Sequence, residues 1–316
     1  VANLKARNIF KDVNYKISEG SAKNLKAIDI SVEEKPTGEV SAGAGIGTNG
    51  GSFAFNVKEN NYLGEGKNVG FNMEIDQESV KGTLNYTNPN YDFLGNALRY
   101  YLTSETNDQP DQGYENTIIG AGISTTFEQY NDVYATLGIN AAHDDLRTQD
   151  SASASLKKQS GTFDEISGTY GFTFDKRNRS FMPTDGAIIS FNQSLPIYAD
   201  KAFIANTLSA SAYSTLSENF IGSTKLLFTA IDGLGSDDVR LSKRRSLGSK
   251  KLRGFEKGKV GPVDGTDHIG GNYATALNFE VNLPNFLPEN TGADIGFFLD
   301  FGNVWGVDYD STLDES

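Results

Sequence analysis

Residues 249–259 read SKKLRGFEKGK, and the residue types gathered there pose the chemical question. Eight bases fall between Leu241 and Lys259: Lys243, Arg244, Arg245, Lys250, Lys251, Arg253, Lys257 and Lys259, with Glu256 as the one acid among them. The chain as a whole is acidic, with 41 Asp plus Glu against 28 Lys plus Arg and a net charge of -13. In the middle stand Leu252, Arg253, Gly254 and Phe255. An exposed loop gains nothing from two apolar residues beside an arginine. A guanidinium flanked this way suits burial against carboxylates, onto which it forks with paired charge-assisted hydrogen bonds. Gly254 allows a turn and a close approach of backbone to a wall, and Phe255 can pack on that wall.

Other chemistry finds no foothold. His143 and His268 sit in or beside loops, too far apart in sequence to suggest a metal site. No Ser-His-Asp set, paired-acid arrangement or phosphate loop appears, so no catalytic residue, cofactor or metal is expected. The acidic balance argues against general nucleic-acid binding. The absence of cysteine rules out disulfides and is compatible with the periplasm or outer membrane.

The elements that must position Arg253 show a period of two from Thr37 onward. In NVGFNMEID, Val69, Phe71, Met73 and Ile75 face one way, and Gly70, Asn72, Glu74 and Asp76 the other. The same alternation recurs in VYATLGINA (133–141), EISGTYGFTFD (165–175) and YATALNFEVNL (273–283). Thirteen strands are predicted, near 38–47, 51–59, 67–77, 79–87, 96–105, 115–127, 132–143, 164–175, 185–195, 202–215, 219–231, 271–283 and 292–304. Most have the length that crosses an outer membrane when tilted. One face is apolar and the other is Gly, Ser, Thr and Asn, as a water-filled lumen requires. This pattern favours a transmembrane antiparallel β-barrel over a soluble β-sandwich, whose strands average about 5 to 6 residues. Linkers DQES, QYND and SEN read as short turns on one side; the segments 142–164 and 232–270 read as long loops on the other. Parity places Glu280 and Asp300 on the inner face of neighbouring strands, with Asp294, Phe298 and Gly302. Thirteen is an odd number, and an edge cannot stand open in lipid, so the chain reads as cut at both ends.

Residues 1–36 differ. NLKARNIFKDV spaces Leu4, Ile9, Phe10 and Val13 as on a helix, and VNYKIS and LKAIDISVEEK read as two strands closed by Pro36.

Several motifs converge on one family. NNYLGEGKNVGFN (60–72), YTNPNY (86–91), FDKRNRSFMPTDGAIISFNQSLP (174–196), LRGF (252–255), IGGNYATALNFEVNLP (269–284) and FFLDFGNVW (297–305) resemble the barrel of BamA-type outer-membrane assembly factors. The resemblance implies a sixteen-stranded barrel over residues 37–316, ending in the loop after strand thirteen. Residues 1–36 then correspond to the end of the last α/β POTRA module. It implies that the arginine loop folds back into the lumen. Asp300 is the preferred anchor for Arg253, because FFLDFG matches the family better than the surroundings of Glu280 do. It implies a non-enzymatic role: folding and inserting β-barrel clients into a bacterial outer membrane, with unfolded clients, assembly-machinery lipoproteins, periplasmic chaperones and membrane lipid as partners. The glycine-rich first strand (Val40, Ala42, Gly43, Ala44, Gly45, Ile46) is the candidate seam, weak enough to open and template a client strand by β-augmentation. Its bland alternative is ordinary barrel curvature. Rival functions are a secretion or autotransporter-assembly role within the same superfamily, and a passive porin. The bases other than Arg253 are expected to decorate the loop and the acidic lumen.

Overall fold

The computed structural model describes residues 9–22, 24–47, 50–217, 220–283 and 295–314. Alternation of apolar and small polar residues produces a single antiparallel sheet of thirteen strands. In chain order after the N-terminal hairpin of Phe10–Glu19 (β1) and Lys26–Glu34 (β2), they are Gly38–Gly47 (β3), Gly50–Tyr62 (β4), Lys67–Ile75 (β5), Ser79–Asn88 (β6), Ala97–Gln109 (β7), Tyr114–Tyr130 (β8), Val133–Thr148 (β9), Gly161–Asp175 (β10), Gly186–Ala199 (β11), Phe203–Ser217 (β12) and Phe220–Gly233 (β13). A two-residue-per-strand hairpin, Val263–Asp264 (β14) with Asp267–His268 (β15), interrupts the series before Tyr273–Leu283 (β16) and Ile295–Trp305 (β17) close it. All thirteen predicted strands are present. Each pairs with its neighbour in sequence, apart from the β13–β16 junction, which spans the basic loop. Among the described residues β3 and β17 each pair on one side, so they form the two ends of the sheet.

Three readings change. The helical spacing through Val13 gives way to strand from Phe10 onward, because Val13, Tyr15 and Ile17 find cross-strand partners in Val32, Ile30 and Ile28. Those ladders supply hydrogen bonds that a short isolated helix in water lacks; Leu4 lies outside the described residues. The segment 142–164 is strand at both ends: β9 runs to Thr148 and β10 starts at Gly161, with a short helix at Ala154–Lys157 (α1) between them. His143 is therefore a strand residue. Finally, strict alternation of direction puts the turn at 76–78 at the same end as the long loops. The short turn between β8 and β9 lies at the other, so turn length alone does not mark the side.

Parity holds through the wall. Inward groups bond to one another: Tyr101 Oη donates to Asn140 at 2.6 Å, and the Thr173 and Ser190 hydroxyls are 3.1 Å apart. Large apolar side chains, among them Phe71, Leu84, Leu102, Ile139, Phe172 and Phe279, stand exposed on the outer face. So large an apolar surface requires lipid or a partner to cover it. Polar groups on that face are matched: Tyr170 Oη donates to Gln193 at 2.7 Å, and the Gln193 amide donates to Asn206 at 2.5 Å. Toward the loop end the outer face turns ionic, with His143 beside Asp164 at 2.6 Å and Arg147 on Asp145 at 2.9 Å. The apolar band ends there.

Because the chain has no cysteine, single cysteines at Phe71, Met73, Phe172 and Phe279 should react with a lipid-soluble probe. Those at Asn72, Glu74, Thr173 and Glu280 should react with a water-soluble one. Arginine at Phe172 should cost about 2 to 4 kcal/mol of barrel stability if that site lies near the bilayer midplane. Reversed labelling would overturn the assignment of faces.

Candidate functional site

The loop between β13 and β16 folds inward and packs on the wall that flanks it. Leu247 and Leu252 are buried with Ala274, Ala276 and Val304, against which Leu227 and Val260 also pack. The inward positions of β16 and β17 are small where the loop lies. A Cβ on Gly302 would stand 2.7 Å from a Leu247 methyl and 3.4 Å from one of Leu252, so glycine is what lets the two leucines seat. Further along, Leu241 and Ile269 join Tyr114, Leu146, Leu156 and Val307 in a second buried cluster at the loop end.

Arg253 reaches the two inward carboxylates. Its Nε and Nη2 donate to the two oxygens of Asp300, both at 2.7 Å, and its backbone N–H donates to Asp300 Oδ2 at 3.0 Å. Asn278 adds a fourth donor to Asp300 at 2.8 Å while also donating to the Lys251 carbonyl at 2.7 Å. Glu280 is the weaker neighbour, 3.4 Å from Arg253 Nη1 and equally 3.4 Å from Lys225. The guanidinium lies 3.8 Å over the ring of Phe298, the inward aromatic of β17. The Asp300 side chain is 3% exposed and that of Arg253 29%. Hydrogen bonding to Asp300 holds the Arg253 guanidinium above its ordinary pKa.

The flanking residues behave differently from expectation. Gly254 has φ +89°, a conformation that favours glycine, but an added Cβ there would meet nothing within 4 Å. It serves the turn and not a close approach. Phe255 is 57% exposed and does not pack on the wall; Leu252, 5% exposed, does.

The other bases are only partly decoration. Arg244 is buried and pairs with Asp308, while donating to the Val239 carbonyl at 3.2 Å and Asn272 at 3.3 Å. Arg240 and Lys243 share Glu165, each at 2.8 Å, and the Arg240 guanidinium stacks 4.6 Å over Phe163. Burial pushes the Arg245 guanidinium down, and among the described residues it has no ion pair. Lys250 is exposed as expected. Sequence reasoning missed Glu165, although its position continues the inward parity of Ser167, Thr169 and Gly171; it missed Asp308 because nothing in GVDYD announces a partner. Among the described residues no cluster of His, Cys, Asp and Glu could hold a metal ion.

The candidate seam lies apart from this loop. β3 forms one edge of the sheet, with Val40, Ala42, Gly43, Ala44, Gly45 and Ile46 all exposed and Ile46 94% exposed. Its inner neighbour β4 pairs with it in register from Gly38↔Glu59 to Gly47↔Gly50.

An acidic antiparallel sheet with an apolar outside, a polar inside and an arginine loop locked to its inner wall defines an outer-membrane barrel class. The chain belongs to the Omp85 superfamily, whose domain matches residues 61–316. It is 24% identical over 298 residues to an outer membrane protein assembly factor BamA from Neorickettsia risticii, covering 89% of this chain and 39% of that protein. It is 24% identical over 273 residues to the mouse sorting and assembly machinery component 50 homolog, covering 84% and 58%. Among solved structures it superposes on BamA from Haemophilus ducreyi lacking POTRA domains 1–3 with a TM-score of 0.82 at 22% identity, over 96% of this chain and 65% of that one. CdiB from Acinetobacter baumannii follows at TM-score 0.58 and 12% identity, over 98% and 57%. The chain thus spans well under two thirds of these curated relatives.

Removing either half of the Arg253–Asp300 pair should be costly. Arg253→Ala leaves a nearly buried carboxylate short of two donors, and we expect a loss of about 2 to 3 kcal/mol, below the ~3 to 5 of a fully enclosed pair because water reaches the guanidinium. Lysine should restore little, since it cannot fork. A double-mutant cycle with Asp300→Ala, read by heat denaturation of the barrel, should show coupling of about 1 to 3 kcal/mol. Additive losses would mean that the two side chains do not act together. Glu280→Gln should cost much less than Asp300→Asn.

Proposed function

We propose that this chain is the barrel portion of an assembly factor that folds and inserts β-barrel proteins into the outer membrane of a bacterial cell. In this reading residues 37–316 belong to a sixteen-stranded barrel and residues 1–36 are the end of a POTRA module in the periplasm. The observation that carries it is β3: a glycine-rich strand at the sheet edge, exposed along its length, within an Omp85 chain. Where the closing strand lets go, the N–H and C=O groups of β3 offer a template for an incoming strand, and its small side chains make that closing contact easy to break. The reaction involves no covalent step, nucleotide or metal; the protein acts by lowering the barrier to strand insertion. Unfolded outer-membrane clients are the substrates, lipoproteins and periplasmic chaperones the partners, and lipid the solvent. The Arg253–Asp300 lock holds the loop in the lumen while the edge opens. The CdiB likeness leaves open a second reading, a two-partner secretion or autotransporter-assembly role in the same superfamily, which differs in handling one class of client. A passive porin draws no support from the comparisons, and its open lumen is at odds with a loop packed on the inner wall.

The test is cross-linking in cells that depend on the full-length protein. A photoreactive group at Ser41 on β3 should capture nascent barrel clients of several kinds, and one at Ser190 on the inner wall of β11 should not. Capture of a single secreted client would favour the second reading; no client adduct at Ser41 would end the templating proposal. Gly43 has open space around its would-be Cβ, so Gly43→Val is sterically free and raises strand propensity. It should slow client insertion several-fold without lowering the heat stability of the barrel.

A further inference from the structure

The basic loop does more than return to its own wall. Four residues beyond Arg253, Lys257 Nζ bonds Glu78 Oε2 at 2.9 Å. Glu78 lies in the turn between β5 and β6, on the opposite flank of the sheet. Lys259 Nζ contacts Asp111 Oδ2 at 3.2 Å, in the connection between β7 and β8, and also Glu256 at 2.8 Å. The two targets form one patch, because the Asp108 N–H donates to the Glu78 carbonyl at 2.7 Å. The patch is held firmly: Asp76 accepts from the Glu78 N–H and from the Ser79 hydroxyl, both at 2.9 Å.

Geometry gives these contacts their meaning. In the sheet order β6 stands nine steps from β17, about 43 Å of wall at ~4.8 Å per step. Four residues of chain reach at most roughly 14 Å, and the two terminal side chains add less than the remainder. One short piece of loop therefore joins two flanks that are far apart along the wall, and the sheet must curl to bring them within its span.

We infer that Lys257 and Lys259 are positioning residues that tie the β5–β8 flank to the loop anchored on β16 and β17, so that the loop sets the spacing of the two flanks at the loop end. At the anchor the Asp300 carboxylate is 3% exposed and bound by several donors; in the Lys257 tie both partners are about a third exposed, 35% and 32%, and held by one contact. The ties release first when charge is screened, since the Debye length falls from about 10 Å at 0.1 M salt to about 3 Å at 1 M. This inference concerns curvature and does not depend on the proposed function.

The test uses the full-length protein in nanodiscs. Spin labels at Thr106→Cys on β7 and Asn303→Cys on β17 sit on outward positions of opposite flanks, and residues 1–316 hold no cysteine to compete. Electron–electron distance measurement should show a longer and broader separation in Lys257→Glu and Lys257→Gln than in the parent. The charge-swapped double variant, Lys257→Glu with Glu78→Lys, should return it to the parent distribution. High salt should reproduce the shift in the parent, and Lys250→Glu should leave it unchanged. If Lys257→Gln and salt both leave the distribution as it was in a barrel that still shows its folded gel mobility, the loop does not set the spacing. If the swap fails to restore a shift that Lys257→Glu produced, the Lys257–Glu78 contact is not its cause.

Discussion

Lipid offers no hydrogen bonds, and that constraint organises everything else. Each strand must find its ladder partners in the neighbouring strand, and each outward side chain must be apolar or matched. The result is a meander in which sequence neighbours are spatial neighbours, with a period of two that sorts residues between hydrocarbon and water. Where the constraint relaxes toward the loop end, charged groups such as Arg147 and Asp145 appear at once on the outer face. Where a polar group must face outward within the apolar band, it comes in a chain of partners, as with Tyr170, Gln193 and Asn206.

The interior answers a different problem. A polar lumen cannot hold a loop by hydrophobic burial alone, since its walls are Thr, Ser, Asn and Gly. The loop is held by combining a small apolar seat, made by Ala274, Ala276 and Gly302, with charges placed where water is scarce. Arg253 on Asp300, Arg244 on Asp308, and Arg240 with Lys243 on Glu165 distribute the attachment over three regions of the wall. The excess of bases in this one stretch of an acidic chain is the counterpart of inward carboxylates supplied by β10, β17 and the segment after β17.

Strand positions were legible because periodicity is local: an alternating stretch shows its own phase and its own two faces. Inward parity followed from the same signal, and it placed Glu280 and Asp300 before any contact was known. What was not legible depends on curl. Lys257 was expected to be solvated because its partner Glu78 is 179 residues away in sequence, and no local pattern brings them together. The extension of β9 through Asp144, Asp145 and Arg147 was hidden because a strand outside lipid need not alternate. Gly254 and Phe255 were misjudged for a related reason, since sequence shows that a turn and an apolar group are present but not which neighbour fills the seat; Leu252 does.

The lengths of β8, β9 and β10, at 17, 16 and 15 residues, carry a consequence for what meets the protein from outside. Crossing the hydrocarbon takes about 9 to 11 tilted residues, so these three strands stand proud of the bilayer by roughly 15 Å. That palisade is hydrogen-bonded sheet and not slack polypeptide. Proteases, which need several residues of unpaired chain in their clefts, would find little to grip along it. An antibody raised against it would read discontinuous side chains from adjacent strands, and would be blind to the same segments presented as linear peptides.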